Sequence, residues 1–262
     1  MTTTSDSSGK VTTKSLAAVL DSELRTTDFT DASHNGLQVA NDGTVTRICG
    51  GVDASMDFLR KAKDKGADFC IVHHGISWGS SLARIDGVNY EIISFLVRNN
   101  IALYASHLPL DAHPVFGNNA QIAEKLDLVE RLAFCDYHGN TIGSQGKLQE
   151  AMLFEDLAEK VRTIIPDGAF HTLPFGSRKI TKVGIVSGGA IDMLPQAVRA
   201  NLDCFITGEM NLVGFNAAKH EQINVIAAGH YATERFGVKA VGAFLEKNFK
   251  LPFDFIDFRL PW

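Results

Sequence analysis

The sequence predicts an α/β fold with mostly parallel, layered sheets covered by helices. Short apolar runs that are typical of strands alternate with segments of helical periodicity along most of the chain, and this alternation favours parallel strands. The chain has 262 residues, of which 45% are apolar and 21% are charged, so it can bury one large core or two smaller ones. We therefore expect one or two α/β units.

Capping residues and glycines mark the helices expected in the first part of the chain. Residues 1–12 are polar and expected to be frayed, and Thr13 is placed to cap the first helix. Ser55 is placed to cap the second helix and Gly66 to end it. Further helices are expected over 88–97 and 120–126, and strands over 45–53, 69–72 and 101–105.

The pattern weakens after about residue 133 and then becomes regular again. Gly139, Gly143 and Gly146 are expected to mark turns between short strands. Downstream, the sequence predicts an amphipathic helix over 154–165, strands that begin near residues 183, 202 and 223, a final helix over 233–247 and a last strand over 253–258. This second run of elements indicates that a second unit begins here.

Charge and composition narrow the class of partner. The formal net charge is -5 and the pI is about 6.0, and the basic residues form no cluster beyond short pairs, so we do not expect long nucleic acid as a partner. The four cysteines form no C-x-x-C pair and are expected to be reduced core residues. The N-terminus lacks an apolar targeting segment, and no run approaches the ~18 apolar residues of a membrane span. We therefore expect a cytoplasmic protein that does not enter membranes.

The strongest local signal is the run D-F-C-I-V-H-H-G-I-S-W-G from Asp68 to Gly79. Two histidines at the end of an apolar strand, followed by a glycine, are better placed for metal ligation than for packing. Successive residues of a strand point in opposite directions, so we expect that His73 and His74 do not easily share one ion and that each holds one of a pair. Tandem histidines also occur as surface or structural residues, so the interpretation needs further ligands.

Ligand-type residues follow three of the predicted strands, where parallel sheets place their ligand crevice. They are His73 and His74, then His107 and Asp111, then His230 and Glu234. The last two are four residues apart and would face the same side of a helix, a spacing that also suits a solvated ion pair. This count of ligands suits two metal ions with open positions for water. Glu234 is the expected bridge because its carboxylate has two oxygens.

Several roles stay open from the sequence alone. His107 suits a metal ligand, a proton shuttle or a residue that orients Asp111. Glu209 suits a general acid or base and equally a helix cap. The run S-G-G-A at 187–190 precedes a helix, so its N–H groups could cradle a phosphate, although it has no lysine and no longer glycine pattern.

These motifs resemble the Nif-three-like family, whose members are often labelled GTP cyclohydrolase I type 2. The resemblance rests on H-H-G-I-S-W, S-H-L-P-L-D, I-T-G-E, G-H-Y-A-T-E-R-F-G-V, N-G-L-Q-V and G-V-D-A-S. It implies a dinuclear metal site made by His73, His74, Asp111, His230 and Glu234. It also implies two α/β lobes, with 1–130 and 228–262 carrying the site and 131–227 forming the second lobe, and a ring-shaped hexamer built from dimers. Gly75 stands where the family usually has proline, which removes no ligand.

The ligand pattern and the resemblance imply a hydrolase with two divalent ions, Zn, Fe or Mn, that lower the pKa of a bound water. The family label implies opening of the purine ring of GTP with release of formate, with His107 or Glu209 moving protons. The expected partner is then a small molecule, a nucleotide. One alternative is a metal-binding regulatory or scaffold protein of the same family, and another is a small-nucleotide phosphodiesterase. The absence of cysteine from the ligand set favours catalysis over a structural zinc site.

Overall fold

The computed structural model describes residues 11–260. The fraying expected for residues 1–12 therefore lies outside the described residues, except for residues 11 and 12. There Thr12 caps the first helix by accepting a hydrogen bond from the Ser15 backbone N–H, so the helix cap lies one residue before the predicted Thr13.

Helices and strands alternate along the described chain, as the sequence predicts. The helices are α1 (Thr13–Leu24), α2 (Met56–Asp64), α3 (Gly87–Arg98), α4 (Leu108–Ala112), α5 (Asn118–Lys125), α6 (Phe154–Ile164), α7 (Leu194–Arg199), α8 (Leu212–Glu221), α9 (His230–Thr233) and α10 (Arg235–Phe249). The strands are β1 (Gly36–Val39), β2 (Ile48–Asp53), β3 (Phe69–His74), β4 (Ala102–Ala105), β5 (Val129–Tyr137), β6 (Asn140–Leu153), β7 (Phe170–Pro174), β8 (Lys179–Val186), β9 (Cys204–Thr207), β10 (Asn224–Ala228) and β11 (Phe253–Phe255). Short 3₁₀ turns lie at Thr26–Asp28 and Ile191–Met193.

The chain divides into two compact units. The first contains the residues up to Leu110 together with Val238–Asp257, and the second contains Asp111–Gly237 and the residues from Phe258 onward. These boundaries differ from the lobes expected from the sequence, 1–130 with 228–262 and 131–227. The reason is packing: Ile122 of α5 and Ala232 of α9 are buried in the core of the second unit, although both were assigned to the first lobe.

The first unit contains a five-stranded sheet in the order β1-β4-β3-β2-β11. The pairing of β1 with β4 is antiparallel and the other pairings are parallel. Most side chains of β2, β3 and β4 are buried, as expected for strands covered on both faces. Because β3 and β4 are parallel neighbours, their carboxyl ends lie at the same edge of the sheet.

The second unit contains a six-stranded mixed sheet in the order β5-β6-β8-β9-β10-β7. The three central strands β8, β9 and β10 are parallel, and the remaining pairings are antiparallel. Its core includes Leu157 and Val161 of α6 and Ile185 of β8, all fully buried. The protein is therefore an α/β protein with two mixed sheets.

A long hairpin, β5 and β6, replaces the short strands expected after residue 133. Gly139 forms its turn with a φ of +83°, as predicted. The turns predicted at Gly143 and Gly146 are wrong, because both residues lie inside β6. Gly143 serves close packing instead, since a Cβ there would lie 2.7 Å from the Ile185 carbonyl oxygen.

Two capping predictions are confirmed, and one helix differs from its prediction. Ser55 caps α2 by accepting a hydrogen bond from the Phe58 N–H, and Gly66, with a φ of +76°, follows the C-cap residue Lys65. The helix predicted over 233–247 is two helices, α9 and α10, which meet at Glu234.

The helices described within residues 11–260 are short, and the longest of them, α10, has 15 residues. Within residues 11–260, no helix combines the length and the apolar character that crossing a membrane requires.

Candidate metal centre

Three histidines of the first unit meet at the carboxyl edge of its sheet. His73 and His74 are the last residues of β3, and His107 follows β4. Their ligand atoms all lie within 4.8 Å of one another. His73 is fully buried, whereas His74 and His107 are partly exposed. This cluster has the size and the donor type of a histidine metal site.

The expectation that His73 and His74 each hold one ion of a pair stays a prediction, and their two rings lie close together. The ring centroids of His73 and His74 are only 4.7 Å apart. A separate hydrogen-bond acceptor holds each ring. His73 bonds the Ser106 carbonyl just after β4, and His74 bonds Asp53 of β2, its partner in the sheet register.

The hydrogen bond of His73 fixes which nitrogen can ligate. Its Nδ1 lies 2.9 Å from the carbonyl oxygen of Ser106. A carbonyl oxygen only accepts hydrogen bonds, so Nδ1 carries the hydrogen and the lone pair of the neutral ring lies on Nε2. This is the arrangement that metal-ligating histidines commonly show.

Two carboxylates orient the other histidines in the same way. The Nδ1 atom of His74 lies 2.8 Å from Asp53 Oδ1, and that of His107 lies 3.0 Å from Asp31 Oδ1. Burial raises the pKa of Asp31, but the hydrogen bond and positive charge of His107, with bonds from Asn35 and Ser33, outweigh it and lower the pKa to about 2. Both carboxylates therefore favour Nδ1–H, which leaves Nε2 of each ring as the ligating atom.

Sequence reasoning missed both aspartates. Asp53 ends β2 beside the strand that carries the histidines, so its position at a strand end was a usable signal. Asp31 lies in the irregular segment before β1, where no periodicity marks it. Its importance is visible only in the structure, where Asp31 Oδ2 also accepts a hydrogen bond from the Leu108 N–H.

In the second unit, His230 and Glu234 form the pair that their spacing predicts. His230 Nε2 lies 3.1 Å from Glu234 Oε1, and His230 Nδ1 lies 2.6 Å from Glu209 Oε1. Gly229, with a φ of +93°, allows the sharp turn from β10 into α9. Burial lowers the pKa of His230, but the hydrogen bonds and charges of Glu234 and Glu209 outweigh it and raise the pKa to about 9.

The structure excludes one of the two roles considered for Glu209, that of a helix cap. The N-cap of α8 is Asn211, whose side chain accepts a hydrogen bond from the Gly214 N–H. Glu209 therefore does not cap this helix. Its carboxylate holds the imidazole of His230 instead.

Asp111, the remaining predicted ligand, is buried in the second unit and held by two side chains. Asn118 Nδ2 donates to its Oδ1 at 2.8 Å, and Ser187 Oγ donates to the same oxygen at 3.1 Å. Asn118 is itself fixed, because its Oδ1 accepts a hydrogen bond from the Gly237 N–H. The carboxylate therefore has a defined orientation.

The glycine turn after β8 packs against Glu234. Its residues Ser187 and Gly188 do not form a phosphate cradle. The Ser187 N–H donates to Asn119 Oδ1 and the Gly188 N–H donates to Thr233 Oγ1, so both N–H groups are engaged within the protein. Gly188 has a φ of +68°, and a Cβ there would lie 2.3 Å from Glu234 Oε1. A side chain at this position would therefore be strained by the positive φ and would displace the Glu234 carboxylate.

The donor chemistry of both units fits a divalent metal held by nitrogen and oxygen. Imidazole and carboxylate suit Zn, Mn and Fe. The cysteines take no part, because all four are free and buried as predicted, and burial raises the pKa of their thiols: Cys49, Cys70, Cys135 and Cys204. The fold and these donors define an α/β protein with histidine-rich candidate metal sites.

The chain belongs to the Duf34/NIF3 (NGG1p interacting factor 3) family, whose model matches residues 11–260. It is similar to a Deinococcus radiodurans protein named GTP cyclohydrolase 1 type 2 homolog, with 37% identity over 250 residues, which are 95% of this chain and 94% of that protein. An Archaeoglobus fulgidus protein of the same name is 39% identical over 238 residues, 91% of this chain and 94% of its own. The solved structure of protein ybgI, described as of unknown function, matches with a TM-score of 0.89 and 33% identity over 97% of this chain and 100% of its own. The family resemblance seen in the sequence motifs is confirmed.

Proposed function

We propose that the protein is a dinuclear metal-dependent hydrolase that opens the imidazole ring of a purine nucleotide such as GTP and releases formate. The observation that carries this proposal is the cluster of His73, His74 and His107, in which oxygen acceptors bind Nδ1 and leave Nε2 to ligate. The name shared by the curated relatives supports the choice of reaction.

The proposed cofactors are two divalent ions, Zn, Fe or Mn. The proposed ligands are His73, His74, Asp111, His230 and Glu234. His107 is a sixth candidate ligand, because its ligand atom lies within 4.8 Å of those of His73 and His74, and proton transfer remains its alternative role. Glu234 remains the proposed bridge, since a carboxylate has two ligating oxygens.

Bound divalent ions would lower the pKa of a water molecule and so supply a nucleophile near neutral pH. The residues of the chain keep the donors in position: Asp53 and Asp31 fix two imidazoles, and Asn118 and Ser187 fix Asp111. The Glu209 carboxylate is nearly half exposed, with a side-chain exposure of 48%. We propose that Glu209 acts mainly by holding the His230 ring through their hydrogen bond and that it also exchanges protons with solvent.

The assay for this function is formate release from GTP by metal-loaded protein. We expect turnover in the wild type and its loss in His74→Ala and in Glu234→Gln. His220→Ala is the matched control, because this histidine is 87% exposed and lies outside the donor sets. Tight metal binding without turnover of any nucleotide would instead favour the regulatory class of protein.

The proposed assembly is a ring-shaped hexamer built from dimers, in the cytoplasm. An edge strand, β5, exposes Val129 and Leu132, which supports contact with another chain. Light scattering should give about 171 kDa, six times the chain mass of 28.5 kDa. A mass of one or two chains would contradict the ring.

A further inference from the structure

Trp78 lies beside the histidine cluster but supplies no metal donor. Its ring centroid is 5.0 Å from that of His107, in an edge-to-face arrangement, and 5.9 Å from that of His74. The side chain is partly exposed. An indole is therefore fixed next to two imidazoles that are candidate metal ligands, all within the first unit.

The loop that carries Trp78 is rigid because its polar groups bond within the protein. The indole Nε1–H donates to the Gly75 carbonyl at 2.7 Å, and the Trp78 backbone N–H donates to Ser81 Oγ at 2.8 Å. The Gln38 carboxamide oxygen accepts from the Ile76 N–H at 2.8 Å. The indole thus has a defined position before any ligand arrives.

Gly75 makes this arrangement possible. A Cβ at this position would lie 2.3 Å from Gln38 Oε1 and 2.6 Å from Ala105 Cβ. Gly75, which stands where the family usually has proline, therefore packs tightly against the Gln38 carboxamide that holds the loop. The loop is also tied to the segment before β1, through the bond from the Gly79 N–H to the Ala32 carbonyl at 2.8 Å.

The indole can offer a ligand only its aromatic surface, because its one polar group already bonds Gly75. A planar ring can stack on this surface over its whole face. The proposed divalent ions beside Trp78 would repel an organic cation, which favours a planar ring over a cationic ligand.

We infer that Trp78 is a stacking platform for the planar heterocyclic base of the substrate, which places the base beside His74 and His107. This inference rests on the proposed function and specifies the part of the substrate that the first unit recognises. A rigid aromatic side chain stacks on a base with little loss of conformational entropy.

The test uses full-length, metal-loaded protein in a Trp262→Phe background, where Trp78 is the only remaining tryptophan, since the chain has 2. Fluorescence is excited where guanine does not absorb. The probes are GMP and ribose 5-phosphate, which shares the sugar and phosphate but has no base. We expect saturable quenching by GMP and none by ribose 5-phosphate.

Two substitutions, made in the wild-type chain, separate stacking from packing. Trp78→Phe keeps an aromatic ring, whereas Trp78→Leu keeps apolar bulk without one. We expect the GMP affinity, measured by calorimetry, to stay within about threefold in Trp78→Phe and to fall about tenfold or more in Trp78→Leu. Metal content should be the same in all three proteins.

Equal GMP affinity in Trp78→Phe and Trp78→Leu would overturn the inference, as would absence of GMP binding or equally tight binding of ribose 5-phosphate. Failure of the proposed hydrolase function is a separate result. It would appear as absence of formate from GTP while GMP still binds and still discriminates between the two variants.

Discussion

The proposed metal binding by His230 would require the loss of a proton, which sets a pH dependence for metal affinity. Burial lowers the pKa of this imidazole, but Glu234 and Glu209 together raise it to about 9. Below that pH, one proton must leave His230 for each metal ion that it binds. The association constant should therefore rise about tenfold between roughly pH 7 and pH 8.

Calorimetric titration with Mn²⁺, in buffers of different ionisation enthalpy, measures both the affinity and the protons released. Glu209→Gln removes one of the charges that raise the pKa of His230, so the dependence between these pH values should flatten. Glu221→Gln removes the same charge beside the exposed His220 and should leave the slope unchanged. A wild-type affinity independent of pH, or an unaltered slope in Glu209→Gln, would refute the reasoning.

The same pKa shift acts on the stability of the metal-free protein. The folded pKa of about 9 lies above the ordinary value of 6.5. The stabilising contribution of His230 is therefore fully present below about pH 6.5 and is lost as the pH rises through about 9. Thermal unfolding of metal-free protein should show a Tm that falls over this range, and a smaller fall in Glu209→Gln.

Two further substitutions test the groups that hold the ligands. Gly188→Ala should destabilise the fold by about 1–3 kcal/mol and weaken metal binding, because the new Cβ meets Glu234 Oε1. Gly66→Ala is the matched control, because Gly66 also has a positive φ but an added Cβ there would meet nothing within 4 Å. In thermal unfolding it reports the cost of the backbone strain alone, and it should leave metal binding unchanged. Equal metal binding in both variants would contradict the account. Ser187→Ala removes a hydrogen bond to Asp111 and should lower metal affinity about 10- to 100-fold in calorimetry, and an unchanged affinity would show that this bond is dispensable.

Local patterns made part of the site predictable from the sequence. The spacing of His230 and Glu234 places them together in any helical turn, and the structure shows this contact. The tandem histidines and His107 end two strands, and parallel pairing brings those ends to one edge. Their proximity follows from secondary structure and the alternation of strands and helices.

Features that depend on long-range packing were not predictable in this way. The sequence gives no sign that Asp31, in an irregular segment, binds the His107 ring 76 residues away. The glycines Gly143 and Gly146 are typical of turns, yet tertiary packing places them in a strand where a neighbouring backbone comes close. The ring centroids of His73 and His74 also lie only 4.7 Å apart, a separation that the alternation of strand residues does not specify.

The metal content of the purified protein, measured by mass spectrometry after loading and removal of loosely bound ions, tests the central claim most directly. The account predicts about two ions per wild-type chain, a clear loss in His74→Ala and in Glu234→Gln, and no change in His220→Ala. Folded variants of His74 and Glu234 that retain the wild-type metal content would contradict it.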